Sequence, residues 1–169
     1  MSRLVILALI VLVPSTAHAG QAFPGEPREL KSPDGALTVF WWEPDAASPK
    51  RSLLLRAAVS PKSWRIYEFG RSVLVEWSPR GHLLAITDRE TSDGSTTSVY
   101  NPDTREFADV CAPAVRDLGA RWTEANRRYC ELTGWPSPGR LRLHLWGSGR
   151  GGDFDLKTTV PVSATAAPP

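Results

Sequence analysis

Histidine, cysteine and methionine are scarce in this chain, with three, two and one in 169 residues. Only His82 and His144 lie beyond residue 19. They are 62 positions apart, and no cysteine or carboxylate stands near them at ligand spacing, so no metal motif is present. The G-x-S-x-G nucleophile elbow is missing as well. Charge of one sign is missing too. Lysine and arginine number 20 against 18 acidic residues, and the basic residues are scattered, which gives no footprint for nucleic acid. Long apolar runs are limited to one, Leu4 to Val13. Ten residues of helix cover about 15 Å, half a bilayer core, so no membrane span is expected.

That single run has another reading. Arg3 precedes it, Pro14-Ser15-Thr16 breaks it, and Ala17-His18-Ala19 has the small-x-small form of a cleavage site. Residues 1–19 therefore read as a secretory signal peptide, which places the mature chain in the periplasm or outside the cell. Removing 19 of 169 residues leaves 150, the size of one domain. Export permits a disulfide between Cys111 and Cys130, closing an 18-residue segment and contributing about 3 kcal/mol. Two buried thiols are the alternative.

What the chain has is turns and tryptophan. Seven tryptophans argue for a packed core. Ser32-Pro33-Asp34-Gly35 and Trp77-Ser78-Pro79-Arg80-Gly81 each precede an apolar run, and Trp122-Thr123-Glu124-Ala125-Asn126 is a weaker third copy. The spacings are 46 residues from Gly35 to Gly81 and 45 from Gly81 to Asn126. Proline sets φ at the first corner, and glycine supplies the positive φ that turns the chain into the next strand. A fixed spacing of this size is the period of a four-stranded propeller blade. Strands are expected from Leu37 to Trp42, Leu53 to Val59, Trp64 to Phe69 and Val73 to Trp77. Further strands follow from Leu83 to Thr87, Thr96 to Tyr100 and Phe107 to Cys111. The last are Tyr129 to Leu132, Leu141 to Trp146 and Phe154 to Val160. Val115, Leu118, Trp122, Ala125 and Tyr129 also fit a helical stripe, but the repeat favours strands there. Residues 20–30 read as a leader across the surface of a domain spanning 31–160, and residues 161–169 as a flexible tail.

Candidate chemistry is thin. Gly147-Ser148-Gly149-Arg150-Gly151-Gly152 matches G-x-G-x-x-G, yet a strand pattern rather than a helix follows it, so a hairpin loop is expected and no cofactor. Asp88, Glu90 and Asp93 suggest calcium, but their spacing fits a solvated turn better. Adjacent Trp41 and Trp42 point to opposite sheet faces, and Trp135 lies in a Pro/Gly turn. These three are the candidate partner contacts.

The strings Ser32-Pro33-Asp34-Gly35 and Trp77-Ser78-Pro79-Arg80-Gly81-His82-Leu83-Leu84-Ala85-Ile86-Thr87-Asp88 resemble the W-S-P-D-G signature of WD-type and periplasmic Tol-type propeller repeats. Ser98-Val99-Tyr100-Asn101-Pro102-Asp103-Thr104-Arg105 is similar to the segment that follows it in that family. Arg80 departs from the usual Asp. The resemblance implies about three four-stranded antiparallel blade-like sheets, an all-β incomplete propeller without shared catalytic residues. The expected role is a non-catalytic binding or protein-interaction module, with a protein partner or self-association covering the end sheets. The rivals are a structural cell-envelope protein and a small secreted hydrolase, since a Ser–His–Asp triad on His82 or His144 is spatial and leaves no sequence mark.

Overall fold

In the computed structural model, residues 20–44 and 50–162 are described. The proposed signal peptide lies outside the described residues, as does residue 163 onward of the expected 161–169 tail; its first two residues are not tail, since Pro161 ends the last strand and Val162 is buried in a core.

Two turns of the same build, 46 residues apart, organise the fold. The first joins β2 (Glu29–Lys31) to β3 (Leu37–Trp42), the second β6 (Val73–Trp77) to β7 (Leu84–Asp88). Gly35 and Gly81 each donate their N–H to the carbonyl of Ser32 or Ser78 at 2.8 Å. Each serine N–H donates to the carbonyl five residues on, Leu37 or Leu83, also at 2.8 Å. The serine Oγ accepts the N–H of that leucine, at 2.9 Å in the first turn and 3.1 Å in the second. The glycines sit at φ 71° and 77°, where a side chain would be strained. The turns also touch, since a Cβ on Gly81 would lie 2.9 Å from Asp34 Oδ1. Asp34 uses that oxygen to accept from Ser32 Oγ and from the Ala36 N–H. These two bonds, the serine's first, hold its carboxyl below the ordinary range.

The third turn signal folds differently. Cys111–Val115 is helix α1, Arg116–Leu118 a 3-10 turn and Ala120–Thr123 helix α2, so Trp122 is helical. Strand β10 (Ala125–Ser137) starts immediately afterwards and contains Asn126. The stripe of Val115, Leu118 and Trp122 outweighs the turn reading because this copy lacks the Pro-x-Gly pair that makes the other two turns. Gly119 at φ 51° breaks the helical stretch in the middle.

The class is β, but the sheets are not three separate units of four. β2, β3, β4 (Arg51–Ala57) and β5 (Ser63–Phe69) form one antiparallel sheet in that order. The remaining strands are β1 (Gln21–Phe23), β8 (Gly94–Asn101), β9 (Glu106–Asp109), β11 (Arg140–Gly149) and β12 (Phe154–Pro161). With β6, β7 and β10 they make an eight-stranded mixed sheet, ordered β1-β6-β7-β8-β10-β11-β12 with β9 also on β8. The fusion occurs because β8 pairs with β9 through residues 98–101 and, in parallel, with β10 through 94–95. The described strands do not close into a propeller. Residues 20–30 are more than a leader, because β1 pairs with β6 and carries Phe23 into the core.

Two apolar cores lie on opposite faces of β6–β8. Val39, Leu53, Leu55 and Phe69 of the four-stranded sheet meet Leu84 and Ile86 on one face. Ala85 and Val99 meet Leu132, Leu141, Leu143 and Leu145 on the other. Every residue of β7 is consequently buried. Between the second pair of layers, Thr87 and Thr97 hydroxyls hydrogen-bond each other at 2.8 Å. Thr97 Oγ1 also lies 2.7 Å from the Cys130 carbonyl, and the Leu132 N–H donates to Thr87 Oγ1 at 3.2 Å. Two side chains thus take the place of a strand partner where β10 leaves β8 and crosses the sheet. A disulfide joins Cys111 to Cys130, with Cα atoms 6.1 Å apart, and anchors α1 to β10. Such a bond is compatible with an exported protein.

The glycine run ends in a β11–β12 hairpin, as its strand context implied. A Cβ on Gly147 would lie 2.2 Å from the Arg127 carbonyl oxygen, and one on Gly149 or Gly151 would lie 2.6 Å from backbone of residues 120–125. These glycines let the hairpin lie close against α2 and the start of β10.

Candidate functional site

Period-two alternation along β3 sends Leu37, Val39 and Trp41 inward and Phe40 and Trp42 outward. Trp41 packs against the core, donates its Nε1–H to the Gly25 carbonyl at 3.2 Å, and carries the Arg28 guanidinium 5.3 Å from its ring centre. Trp42 is 52% exposed. Phe40 stands directly opposite Leu54 of β4. None of Phe40, Trp42 and Leu54 belongs to either core. Charged groups rim this apolar strip. Arg56 lies 5.4 Å over the Phe40 ring and bonds Glu29 at 3.3 Å, and Arg65 pairs with Glu68. The outward side of the four-stranded sheet is therefore apolar at its centre and charged at its edge.

Trp135 lies elsewhere. It sits within β10 rather than in a turn, packs against the second core, and its buried Nε1–H has no partner among the described residues. The structure does not bring it together with Trp41 and Trp42.

The outward side of β10–β12 carries Tyr129, Trp146 and His144. Tyr129 stacks on Trp146 with centroids 4.7 Å apart, and His144 stacks on Trp146 as well, also at 4.7 Å. His144 Nε2 lies 2.9 Å from Asp155 Oδ1. The alternation of Leu141, Leu143 and Leu145 is the signal that puts His144 and Trp146 outside. No serine or threonine hydroxyl hydrogen-bonds to His82 or His144 among the described residues.

A cleft of about 330 Å³ opens where β5, the β7–β8 connection and the α2–β10 junction meet. Tyr67 donates its hydroxyl to Asp88 Oδ2 at 2.7 Å. Burial pushes Asp88 above the ordinary carboxyl range and Glu90 adds to it, while the tyrosine bond works the other way. Burial, then the bond to Asp88, pushes Tyr67 up as well. Asp93 faces Arg127 at 3.5 Å, and Asp88, Glu90 and Asp93 do not converge as a metal site; no three metal-ligating side chains do among the described residues. Nor is any helix among them long and apolar enough to cross a membrane.

Compared with known proteins, the chain matches no family model and no curated sequence.

Proposed function

We propose that this is an exported, non-catalytic binding module of propeller-type repeats that uses the outward side of its four-stranded sheet to contact another protein in the periplasm or outside the cell. The observation that carries the reading is Trp42, 52% exposed at the end of a strip with Phe40 and Leu54; the other large exposed apolar side chains among the described residues, Val59 and Phe107, are not part of that strip. An apolar centre with a charged rim is the anatomy of a protein contact, and tryptophan is the residue most often at its centre. The propeller-type reading is supported by the two turns of equal geometry, each opening a run of antiparallel strands from β2 or β6. In a closed propeller a neighbouring blade covers each sheet; here a partner takes that place.

Light scattering on the protein isolated gently from the native host tests this. The expected mass exceeds one mature chain, and Trp42→Ser brings it back to one chain without loss of folding. A wild-type protein that runs as a single chain throughout overturns the reading.

A further inference from the structure

The sheet edges differ in kind. β1 and β2 have three residues each and β9 four, while β5 meets β4 with a register shift between Leu53 and Leu54. β12 has eight residues in unbroken register with β11, and no other described strand lies on its far side. The Val162 N–H donates to the Gly139 carbonyl at 2.9 Å, one step beyond the Arg140–Pro161 pair. Antiparallel bonding alternates, so the bonds to β11 fall at Val162, Val160, Thr158, Leu156 and Phe154. The backbone N–H and C=O groups of Asp155, Lys157 and Thr159 therefore point to the open edge. Unpaired edge groups are a template for another strand. The side chains of these three residues lie on the outward side of the sheet, whereas Leu156 borders the second core. The Asp155 side chain is 73% exposed, and its Oδ1 faces His144 Nε2, which leaves Oδ2 for a further donor. Lys157 is exposed and has no ion pair among the described residues.

We propose that the β12 edge pairs antiparallel with the β12 edge of a second copy, continuing the eight-stranded sheet across a two-fold axis. Groups that point to the edge at 155, 157 and 159 must meet the same set on the partner. In one register Asp155 stands opposite the partner's Lys157 and Lys157 opposite the partner's Asp155, so the symmetry makes two pairs of opposite charge. Leu156 then meets the partner's Leu156 on the other side of the sheet. Sliding the partner by two residues sets Lys157 against Lys157 in one direction and Asp155 against Asp155 in the other, and like charges directly opposite are unfavourable. A lysine on an edge ordinarily keeps other strands away. Here Asp155, two residues before it, accepts that lysine in a single register. An edge of eight residues buries much less than the roughly 1,000 Å² of a stable interface, so the pairing is weak and forms at high local concentration. Dilute protein stays unpaired at this edge. This inference is independent of the Trp42 surface.

Sedimentation equilibrium of the mature Trp42→Ser protein, which lacks the other proposed contact, tests it between ~10 μM and ~1 mM. The mass should rise from one chain towards two and fall again on dilution. Lys157→Asp and Asp155→Lys each set like charges opposite one another and should weaken association about tenfold or more. An equimolar mixture of the two variants should restore it, because every charge then meets its opposite. Amide exchange of the protein with Trp42 intact gives a second readout. On concentration it should slow at Asp155, Lys157 and Thr159 and stay unchanged at Leu156 and Thr158, which are already bonded to β11. A single-chain mass throughout, with unchanged exchange at those three amides, overturns the proposal. So does association that both charge reversals leave intact, or a mixture that fails to associate. Association seen only after residues 163–169 are removed gives the edge to that segment and overturns it too.

Discussion

Thr87 shows how one hydroxyl holds two layers together. It is fully buried, bonds Thr97, and accepts the N–H of Leu132 on a strand from the other layer. Thr87→Val keeps the shape but strands that N–H in an apolar core. The expected loss is about 1–3 kcal/mol, seen as a lower urea midpoint with an unchanged slope. Asp88 carries the opposite kind of effect. Its carboxyl is raised in the folded protein, first by burial, so the folded state holds that proton more tightly than the unfolded chain does. The group is neutral to stability below the unfolded value of about 3.9 and becomes a cost as pH rises through the folded value. Asp88→Asn keeps an acceptor for Tyr67 and removes the charge. It should be more stable than wild type at pH 7, with the difference disappearing near pH 3. A variant less stable at pH 7, or equally shifted at both pH values, would contradict this account of Asp88.

At the scale of elements, the segment of α1 and α2 is held from both ends. Cys111 ties its start to Cys130, and the glycines of the β11–β12 hairpin let backbone pack against α2. Replacing both cysteines by alanine should cost about 3 kcal/mol through the freed unfolded chain. Hydrogen exchange should accelerate most across residues 111–123. The turns at Ser32 and Ser78 were legible in the sequence because their chemistry is local: a proline, a glycine and a serine hydroxyl within six residues. The third was misread because Trp122 and Asn126 match by residue type and spacing without that chemistry, while the shorter helical stripe beneath them was the physical signal. β1 was not legible, since three residues before Pro24 show no period; its partner β6 is 50 residues away. On the candidate surface, the opposite facing of Trp41 and Trp42 follows from strand alternation alone. Trp135 was misplaced because Gly134 to Gly139 looks like one turn, whereas only Pro138-Gly139 turns, and Gly134 and Pro136 lie in β10 with irregular register against β11. The Tyr67–Asp88 bond joins strands of different sheets, so only sheet packing reveals it.

For the whole molecule, the order of layers explains which surfaces are left. The β6–β8 layer is covered on both faces, and the layers on either side of it each have one outward face. One of these is softened by a stacked aromatic and histidine run with polar neighbours. The other keeps Trp42 open beside Phe40 and Leu54. Burying such a strip in a contact is worth roughly 25 cal/mol per Å² of apolar area, which is why the proposed contact is assigned to this face. The most direct measurement is photo-cross-linking in the native host, with a photoreactive residue at position 42 and a control at Asp103 in the exposed β8–β9 turn. The account predicts a discrete protein adduct, whether a second copy or another chain, from position 42 and none from position 103. Equal labelling from both positions, or no adduct from position 42, would contradict it.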